Sequence, residues 1–100
     1  MSQPTTRKYR HTQYGDEYTL EFRPQADGHF DIYAVRSPPN PFDRSVSICH
    51  LYSSGEVCVA AGKEPRTLDR AIAIAFVWLD GYSHYVRTGV FPTGTKRINV

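Results

Sequence analysis

The sequence contains little cysteine: Cys49 and Cys58 are the only two among its 100 residues. Two cysteines cannot form the multiple disulfides that hold small secreted domains together. The chain also shows no charged start followed by an apolar run and a small-residue cleavage site, which is the pattern of a secretory signal. We therefore expect a cytoplasmic protein whose two thiols stay reduced.

Long apolar runs and an excess of charge of one sign are also missing. The longest apolar run, residues 71–79, is far shorter than the ~20 residues that span a bilayer. The formal net charge is only +2, and acidic and basic residues are mixed along the chain apart from a basic segment at residues 7–11. Such a short basic segment is more often a solvated tail than a nucleic-acid patch. We expect neither a membrane nor a nucleic acid among the partners.

The sequence does contain enough apolar material for one small core. Hydrophobic residues make up 40% of the chain and aromatic residues 13%, and a chain of this length has room for one domain only. Residues 1–15 are polar and follow no sustained period. We therefore predict a single domain over residues 1–100, in which residues 1–15 form a flexible tail.

Alternating polar and apolar residues predict a β-hairpin in the first half of the chain. Residues 17–23 and 29–36 both follow the period of a half-buried strand, and Asp27-Gly28 between them is a strong turn signal. Three prolines within residues 37–43 then predict an extended surface loop.

A long helix is predicted over residues 68–87, where apolar residues recur at steps of three and four. Thr67 is a good N-cap, and the Asp69 carboxylate in the first turn complements the helix dipole. Gly89 ends the helix. We expect three large side chains to anchor this helix to the sheet: Phe76, Trp78 and Leu79.

Two further strands complete the predicted sheet. Alternation resumes over residues 44–51, which predicts a third strand, and residues 56–60 predict a short fourth strand. The fold class we expect is α+β, a small antiparallel β-meander of three to four strands packed on one long C-terminal helix.

The segment Tyr52-Ser53-Ser54-Gly55-Glu56-Val57-Cys58-Val59 places a cysteine just after a tight turn. Serine and glycine supply the local hydrogen bonds and the tolerance of positive φ that turns need. A lone buried cysteine is commonly just a small hydrophobic residue, but this setting favours Cys58 as a nucleophile. Cys49 lies on a predicted strand without such a turn, so we interpret it as structural. We predict that Cys58 is accessible and that Cys49 is not.

This segment resembles the active site of ubiquitin-conjugating enzymes. There, an aromatic residue, a short polar turn, a glycine, any residue, an aliphatic residue and the catalytic cysteine follow in the same order. Residues 30–42 are similar to the family's strand and proline-rich turn, and residues 65–68 are similar to the start of its next helix. Residues 78–92 resemble the ending of compact bacterial relatives. The resemblance covers roughly residues 17–92, and it implies a ubiquitin-conjugating-enzyme-like fold.

The resemblance also implies an activity and a set of protein partners. Cys58 would accept the carboxyl end of a ubiquitin-like protein as a thioester from an activating enzyme, and would pass it to an amine of an acceptor protein. A thioester carrier needs no strong general base, because the incoming acyl group is already reactive. The competing hypothesis is a non-catalytic protein-interaction module of the same fold, in which Cys58 is structural and the proline-rich loop or a helix face docks a partner.

The sequence departs from the family at the tripeptide that precedes the cysteine. The family's His-Pro-Asn falls on residues 48–50, so that His50 stands at the asparagine position. The resemblance implies that His50 donates a hydrogen bond to the oxyanion formed when an amine attacks the thioester. The other interpretation is a strand histidine that caps the turn. The family's amino-terminal helix and the tryptophan after its cysteine have no counterpart here.

A metal site is not expected. By residue type, one possible zinc site would combine Cys49, His50, Cys58 and His84. Their spacing fits no zinc-finger or zinc-ribbon pattern. We therefore expect no metal and no cofactor, and a function that depends on protein partners alone.

Overall fold

The fold is a small sheet covered on one face by a long helix. The computed structural model describes residues 3–42, 45–60 and 62–92. Three strands form an antiparallel sheet in sequence order: β1 (Thr5–Arg10), β2 (Glu17–Pro24) and β3 (Phe30–Arg36). Two helices follow: α1 (Val46–Cys49) and α2 (Leu68–Thr88). The protein is therefore α+β, as the sequence predicts.

The predicted hairpin of β2 and β3 is confirmed. On β2, Tyr18, Leu20 and Phe22 are all buried, and on β3 Ile32 is buried opposite Phe22. These side chains form the sheet's half of the core, because alternate residues of a strand point to the same face. The turn between the strands contains Gly28 at φ 95°, a conformation that glycine adopts without steric cost.

The prediction that residues 1–15 form a flexible tail is wrong for β1, which pairs with β2 from Thr5 to Arg10. This strand has Tyr9 as its only large apolar residue, so it carries no alternation for sequence reasoning to detect. Its order comes from the backbone edge that β2 offers and from the ring of Tyr9, which lies edge-on to Phe76 at 4.9 Å.

The loop between β1 and β2 is also held, by polar contacts with α2. His11 is buried, and its Nε2 lies 2.7 Å from Asp80 Oδ1. Arg87 donates to both carboxylate oxygens of Asp16, at 2.6 and 3.0 Å. This hydrogen-bonded contact with Arg87 is the main reason that the pKa of Asp16 is lowered. The segment predicted as a tail is thus held in place twice: its strand pairs with β2, and its loop is hydrogen-bonded to α2.

The predicted third strand over residues 44–51 is wrong, because Val46–Cys49 forms α1. Residues 43 and 44 lie outside the described part of the chain. In this single helical turn Cys49 is buried and Val46 is half-buried, while Ile48 is left 40% exposed. The Trp78 indole donates to the Cys49 carbonyl at 3.3 Å and ties α1 to α2. Alternation over so short a run fits a strand and a helical turn equally well.

The predicted fourth strand over residues 56–60 is reduced to two isolated bridges. Glu56 pairs with Tyr33 of β3, and Val57 pairs with Leu51. Beyond Val57 the chain leaves the edge of β3. The next backbone hydrogen bond at this edge is made by a later residue: Phe30 N–H donates to the Pro65 carbonyl at 2.8 Å.

The predicted long helix is confirmed as α2, together with its predicted N-cap Thr67 and its end at Gly89. The Thr67 hydroxyl accepts a hydrogen bond from Arg70 N–H at 3.1 Å, and Gly89 closes the helix at φ 80°. Trp78 and Leu79 are buried against the sheet as predicted. Within the described residues, no helix has the length and apolar character needed to cross a membrane.

The prediction that Phe76 anchors α2 to the sheet is wrong. Phe76 is 46% exposed, while Trp78 two residues further on is fully buried. Residues two positions apart lie about 200° apart around a helix, so a face that buries Trp78 cannot also bury Phe76. Phe76 instead packs over the edge of the sheet against Tyr9.

Candidate functional site

Cys58 lies on a tight hairpin of residues 50–58, which we call the cysteine hairpin. Its backbone is closed by Tyr52 N–H to the Glu56 carbonyl at 2.9 Å and by Cys58 N–H to the His50 carbonyl at 3.0 Å. Gly55 turns the chain at φ 94°, and a Cβ there would lie 3.3 Å from the Ala34 carbonyl oxygen. Glycine is therefore required by the backbone conformation and by the close approach to β3.

The cysteine hairpin is attached to the free edge of β3. Ala34 N–H donates to the Gly55 carbonyl and Val57 N–H donates to the Ile32 carbonyl, both at 2.8 Å. Val57 is 2% exposed and belongs to the core cluster. The sheet thus positions the hairpin, although the hairpin does not form a regular fourth strand.

Cys58 and its neighbours lie on the outer face of this hairpin. Leu51 and Val57 are paired and pack on the core. Side chains alternate between faces along each arm, so Tyr52 and Cys58 lie on the opposite, outer face. In agreement, Tyr52 is 46% exposed and Cys58 is a partly exposed free thiol. The structure therefore presents Cys58 to solvent at the sheet edge.

Tyr52 is the neighbour of Cys58 that sequence reasoning missed. Tyr52 shares the outer face of the cysteine hairpin with Cys58, and the neighbouring Cys58 raises the pKa of Tyr52. A signal was present in the sequence, because Tyr52 and Cys58 stand at same-face positions on either side of the Ser53-Ser54-Gly55 turn. That signal has meaning only once the hairpin register is known.

Cys49 has a different environment. It is 2% exposed, and its thiol donates to the Leu51 carbonyl at 3.7 Å. Its backbone carbonyl accepts from the Trp78 indole. The predicted contrast in burial between the two cysteines is confirmed, and Cys49 has the surroundings of a structural residue.

Brief iodoacetamide treatment of the folded protein is expected to label Cys58 well before Cys49, because only Cys58 reaches solvent. Mass spectrometry of the digested protein gives the labelled fraction at each position. In denaturant, the same reagent should label both positions at similar rates, which controls for intrinsic reactivity. Preferential labelling of Cys49 in the folded protein would contradict the assignment.

The backbone carbonyl of His50 is hydrogen-bonded to Cys58, while the His50 ring packs against Phe91. The residue ends α1 in the left-handed conformation at φ 58°, so the interpretation as a strand histidine is wrong. Its carbonyl nevertheless closes the cysteine hairpin. The ring lies edge-on to Phe91 at 4.7 Å, and burial lowers its pKa. A neutral imidazole is therefore favoured near pH 7, and a neutral imidazole can still donate one hydrogen bond.

His84 contacts residues of the β1–β2 loop and α2. Its Nδ1 lies 3.0 Å from the Tyr14 hydroxyl, and its Nε2 lies 3.8 Å from Asp80 Oδ1. In residues 3–42, 45–60 and 62–92, no three or more His, Cys, Asp or Glu side chains are grouped to hold a metal ion. The partners of His84 are thus polar side chains that fasten the loop to the helix.

A cavity of about 300 Å³ opens beside the cysteine hairpin, between it and the start of β3. Its walls carry six acidic, basic or imidazole side chains: Asp27, His29, Asp31, Glu56, Glu64 and Arg66. His29 bridges two of the carboxylates, with Nε2 lying 3.0 Å from Asp31. Burial, and then the charge of Asp31, raise the pKa of Glu56. Carboxylates outnumber cations here, so an acidic surface adjoins the hairpin.

Comparison with known proteins gives no match: no family model, no curated protein and no solved structure matches this chain. The site offers one partly exposed thiol, Cys58, on a hairpin that backbone hydrogen bonds attach to β3, with Tyr52 on the same outer face. Such an arrangement can act as a nucleophile towards an activated acyl group.

Proposed function

We propose that this protein is a minimal ubiquitin-conjugating-like enzyme of the compact bacterial type. Cys58 carries a ubiquitin-like protein as a thioester and transfers it to an amine of an acceptor protein. The observation that supports this most is the exposure of Cys58 on the hairpin that follows the Gly55 turn, while Cys49 is buried. The order of β-meander, cysteine turn and long helix also fits that family, whose fold is part of the proposal.

The first step is a thioester exchange. The Cys58 thiolate attacks the carbonyl carbon of the thioester that joins the ubiquitin-like protein to its activating enzyme. The bond from that carbon to the activating enzyme's sulfur breaks, and this sulfur leaves as a thiolate. One thioester replaces another, so the step needs no oxidant, no metal and no strong base.

The test uses the full chain with a cognate activating enzyme, its ubiquitin-like protein and ATP. We expect an adduct that persists on a non-reducing gel and is cleaved by thiol reductant. A mixture without ATP is the control, because the acyl group is then never activated. Absence of the adduct from the complete mixture would reject the proposal.

A non-catalytic interaction module of the same fold is the second candidate. It is favoured by exposed apolar side chains: Phe42 on the proline-rich loop, Ile48 on α1 and Val90 after α2 are 46%, 40% and 65% exposed. In that case Cys58 would carry no acyl group, and Cys58→Ala would leave partner binding unchanged. The adduct experiment separates the two candidates.

His50→Ala is expected to leave thioester formation largely intact and to slow discharge to an amine. Loss of one oxyanion donor typically costs about 10²–10³ in rate. His50→Asn is the matched control, because asparagine tolerates the left-handed backbone at this position and keeps a donor. Single-turnover discharge of the preformed thioester to free lysine measures the rate. If both variants slow loading and discharge equally, His50 is a structural residue that packs on Phe91.

A further inference from the structure

The outer face of the sheet, opposite α2, carries a row of three residues, one from each strand. Lys8 of β1 pairs with Thr19 of β2, and Thr19 pairs with Arg36 of β3. Paired residues lie on the same face, and this face is the outer one because Tyr18 and Leu20, on either side of Thr19, are buried in the core. Two strand spacings put the backbones of Lys8 and Arg36 about 10 Å apart, with the short side chain of Thr19 between them.

A β-bulge places Arg36 in this row. Leu20 pairs with Ala34 and Thr19 pairs with Arg36, so Val35 is an extra residue without a partner on β2. In a regular pairing Val35 would stand opposite Thr19, and Arg36 would lie on the face that packs against α2. The bulge does not serve the core, because it leaves Val35 61% exposed. Its effect is to bring Arg36 to the outer face, and bulges that re-aim a side chain are frequent beside functional sites.

The two cations of the row have no charge partner. In the described part of the chain, no ion pair involves Lys8 or Arg36. The neighbouring cross-strand pair, Arg10 and Glu17, forms its own ion pair at 2.6 Å and is therefore neutral as a pair. The row thus carries two uncompensated positive charges, which repel each other. An anion bound over Thr19 would relieve this repulsion.

A cavity of about 280 Å³ is lined by the three residues of the row, by the Arg10–Glu17 pair and by Tyr9 and Tyr18. This volume is close to the lower end of the range for small-molecule sites. Arginine and lysine both bind phosphate groups in proteins, and arginine does so through two parallel hydrogen bonds. A threonine hydroxyl can add a further donor. A terminal phosphate group carries a charge of about −1.5 to −2 at neutral pH, which matches two cations better than the single charge of a carboxylate.

We propose that Lys8, Thr19 and Arg36 form a binding site for the phosphate groups of a small di- or triphosphate ligand. The site is independent of the function proposed for Cys58. Lys8 belongs to β1, at the opposite edge of the sheet from the β3 edge that holds the cysteine hairpin. The basic segment at residues 7–11, which the sequence alone suggests is a solvated tail, thereby contributes to a binding surface through its strand.

Isothermal titration calorimetry of the full chain with inorganic tripolyphosphate tests this site. We expect saturable binding of one ligand per chain, which weakens as the salt concentration rises because exposed charges are screened. Lys8→Ala and Arg36→Ala should each weaken binding about tenfold, since each removes one charge-assisted contact. No saturable binding up to about 1 mM ligand, at an ionic strength of about 0.15 M, would overturn the inference.

Arg7→Ala is the matched control for Lys8→Ala. Arg7 is the preceding residue of β1 and is also exposed, but it pairs with buried Leu20 and so lies on the other face of the sheet. Both substitutions remove one positive charge from the same strand. We expect Arg7→Ala to bind tripolyphosphate within about twofold of the wild type, because distant exposed charges are screened. Equal weakening in the two variants would indicate an effect of net charge alone and would contradict the site.

A comparison of ligands identifies the source of the phosphate groups. Tighter binding of ATP than of tripolyphosphate would support the site with a nucleotide as its ligand, and equal or weaker binding of ATP would support it with the phosphate chain alone. Citrate, which offers only carboxylates, should bind at least about tenfold more weakly than tripolyphosphate. Equal binding of citrate would reject the preference for phosphate. Tighter binding of a single-stranded oligonucleotide than of either phosphate ligand would make this face a nucleic-acid surface and would also reject the inference.

Discussion

Replacing Cys58 with serine is expected to abolish the reductant-sensitive adduct completely. A serine hydroxyl is a much weaker nucleophile than a thiolate at neutral pH, and any acyl group it accepted would be held as an oxygen ester. The expected product is therefore either no adduct or an adduct that resists thiol reductant. Gel electrophoresis with and without reductant, on samples loaded with activating enzyme and ATP, separates these outcomes from the wild-type thioester.

Cys49→Ser is the matched control for this substitution. Cys49 is buried, and a serine hydroxyl can donate to the Leu51 carbonyl in place of the thiol. This variant should keep the reductant-sensitive adduct, even if its free energy of unfolding is lower. A thioester that survives in Cys58→Ser and is lost in Cys49→Ser would make Cys49 the nucleophile and contradict the geometry of the cysteine hairpin.

Trp78→Ala is expected to lower the free energy of unfolding by about 3–5 kcal/mol, the range for truncating a large buried aromatic residue. Trp78 is fully buried, with its ring stacked on Tyr82 at 4.8 Å and edge-on to Tyr18 at 5.8 Å. Its indole also donates to the Cys49 carbonyl, which would lose that partner. Urea unfolding followed by circular dichroism measures the change, which is a large share of the total stability of a small domain.

Phe76→Ala on the same helix is the control for helix propensity and ring size. Phe76 is 46% exposed, so about half of its apolar surface is already in water, and we expect a cost of about 1 kcal/mol. The difference between the two variants measures burial, because both replace an aromatic residue of α2 by alanine. Equal costs would contradict the burial of Trp78 against the sheet and the exposure of Phe76.

The parts of the fold that the sequence predicts are those with strong local signals. The hairpin of β2 and β3 follows from a period of two over seven or eight residues with Asp27-Gly28 between the strands. Helix α2 follows from its apolar spacing together with Thr67 and Gly89 at its ends. The sequence also predicts the contrast in burial between Cys49 and Cys58, although the register of the cysteine hairpin decides it.

Strand β1 and helix α1 were decided by tertiary structure. The residues of β1 are mostly polar, and they form a strand because the edge of β2 supplies backbone partners and α2 supplies charged partners for the loop that follows. In α1, four residues fit two periods equally well, and the burial of Cys49 together with the hydrogen bond from the Trp78 indole to its carbonyl favours the helix. A local sequence pattern cannot predict either element, because both depend on contacts with residues that are distant along the chain.

For the site, the sequence by itself determined the nucleophile candidate, because Cys58, its turn and the flanking valines are contiguous. Tertiary structure decided what surrounds it. The pairing of Leu51 with Val57 sets which side chains face outward, and that register places Tyr52 on the same face as the thiol, while the His50 ring lies against Phe91. A shift of one residue in this pairing would turn Cys58 toward the core, so the hydrogen bonds that attach the hairpin to β3 fix the exposure of the thiol.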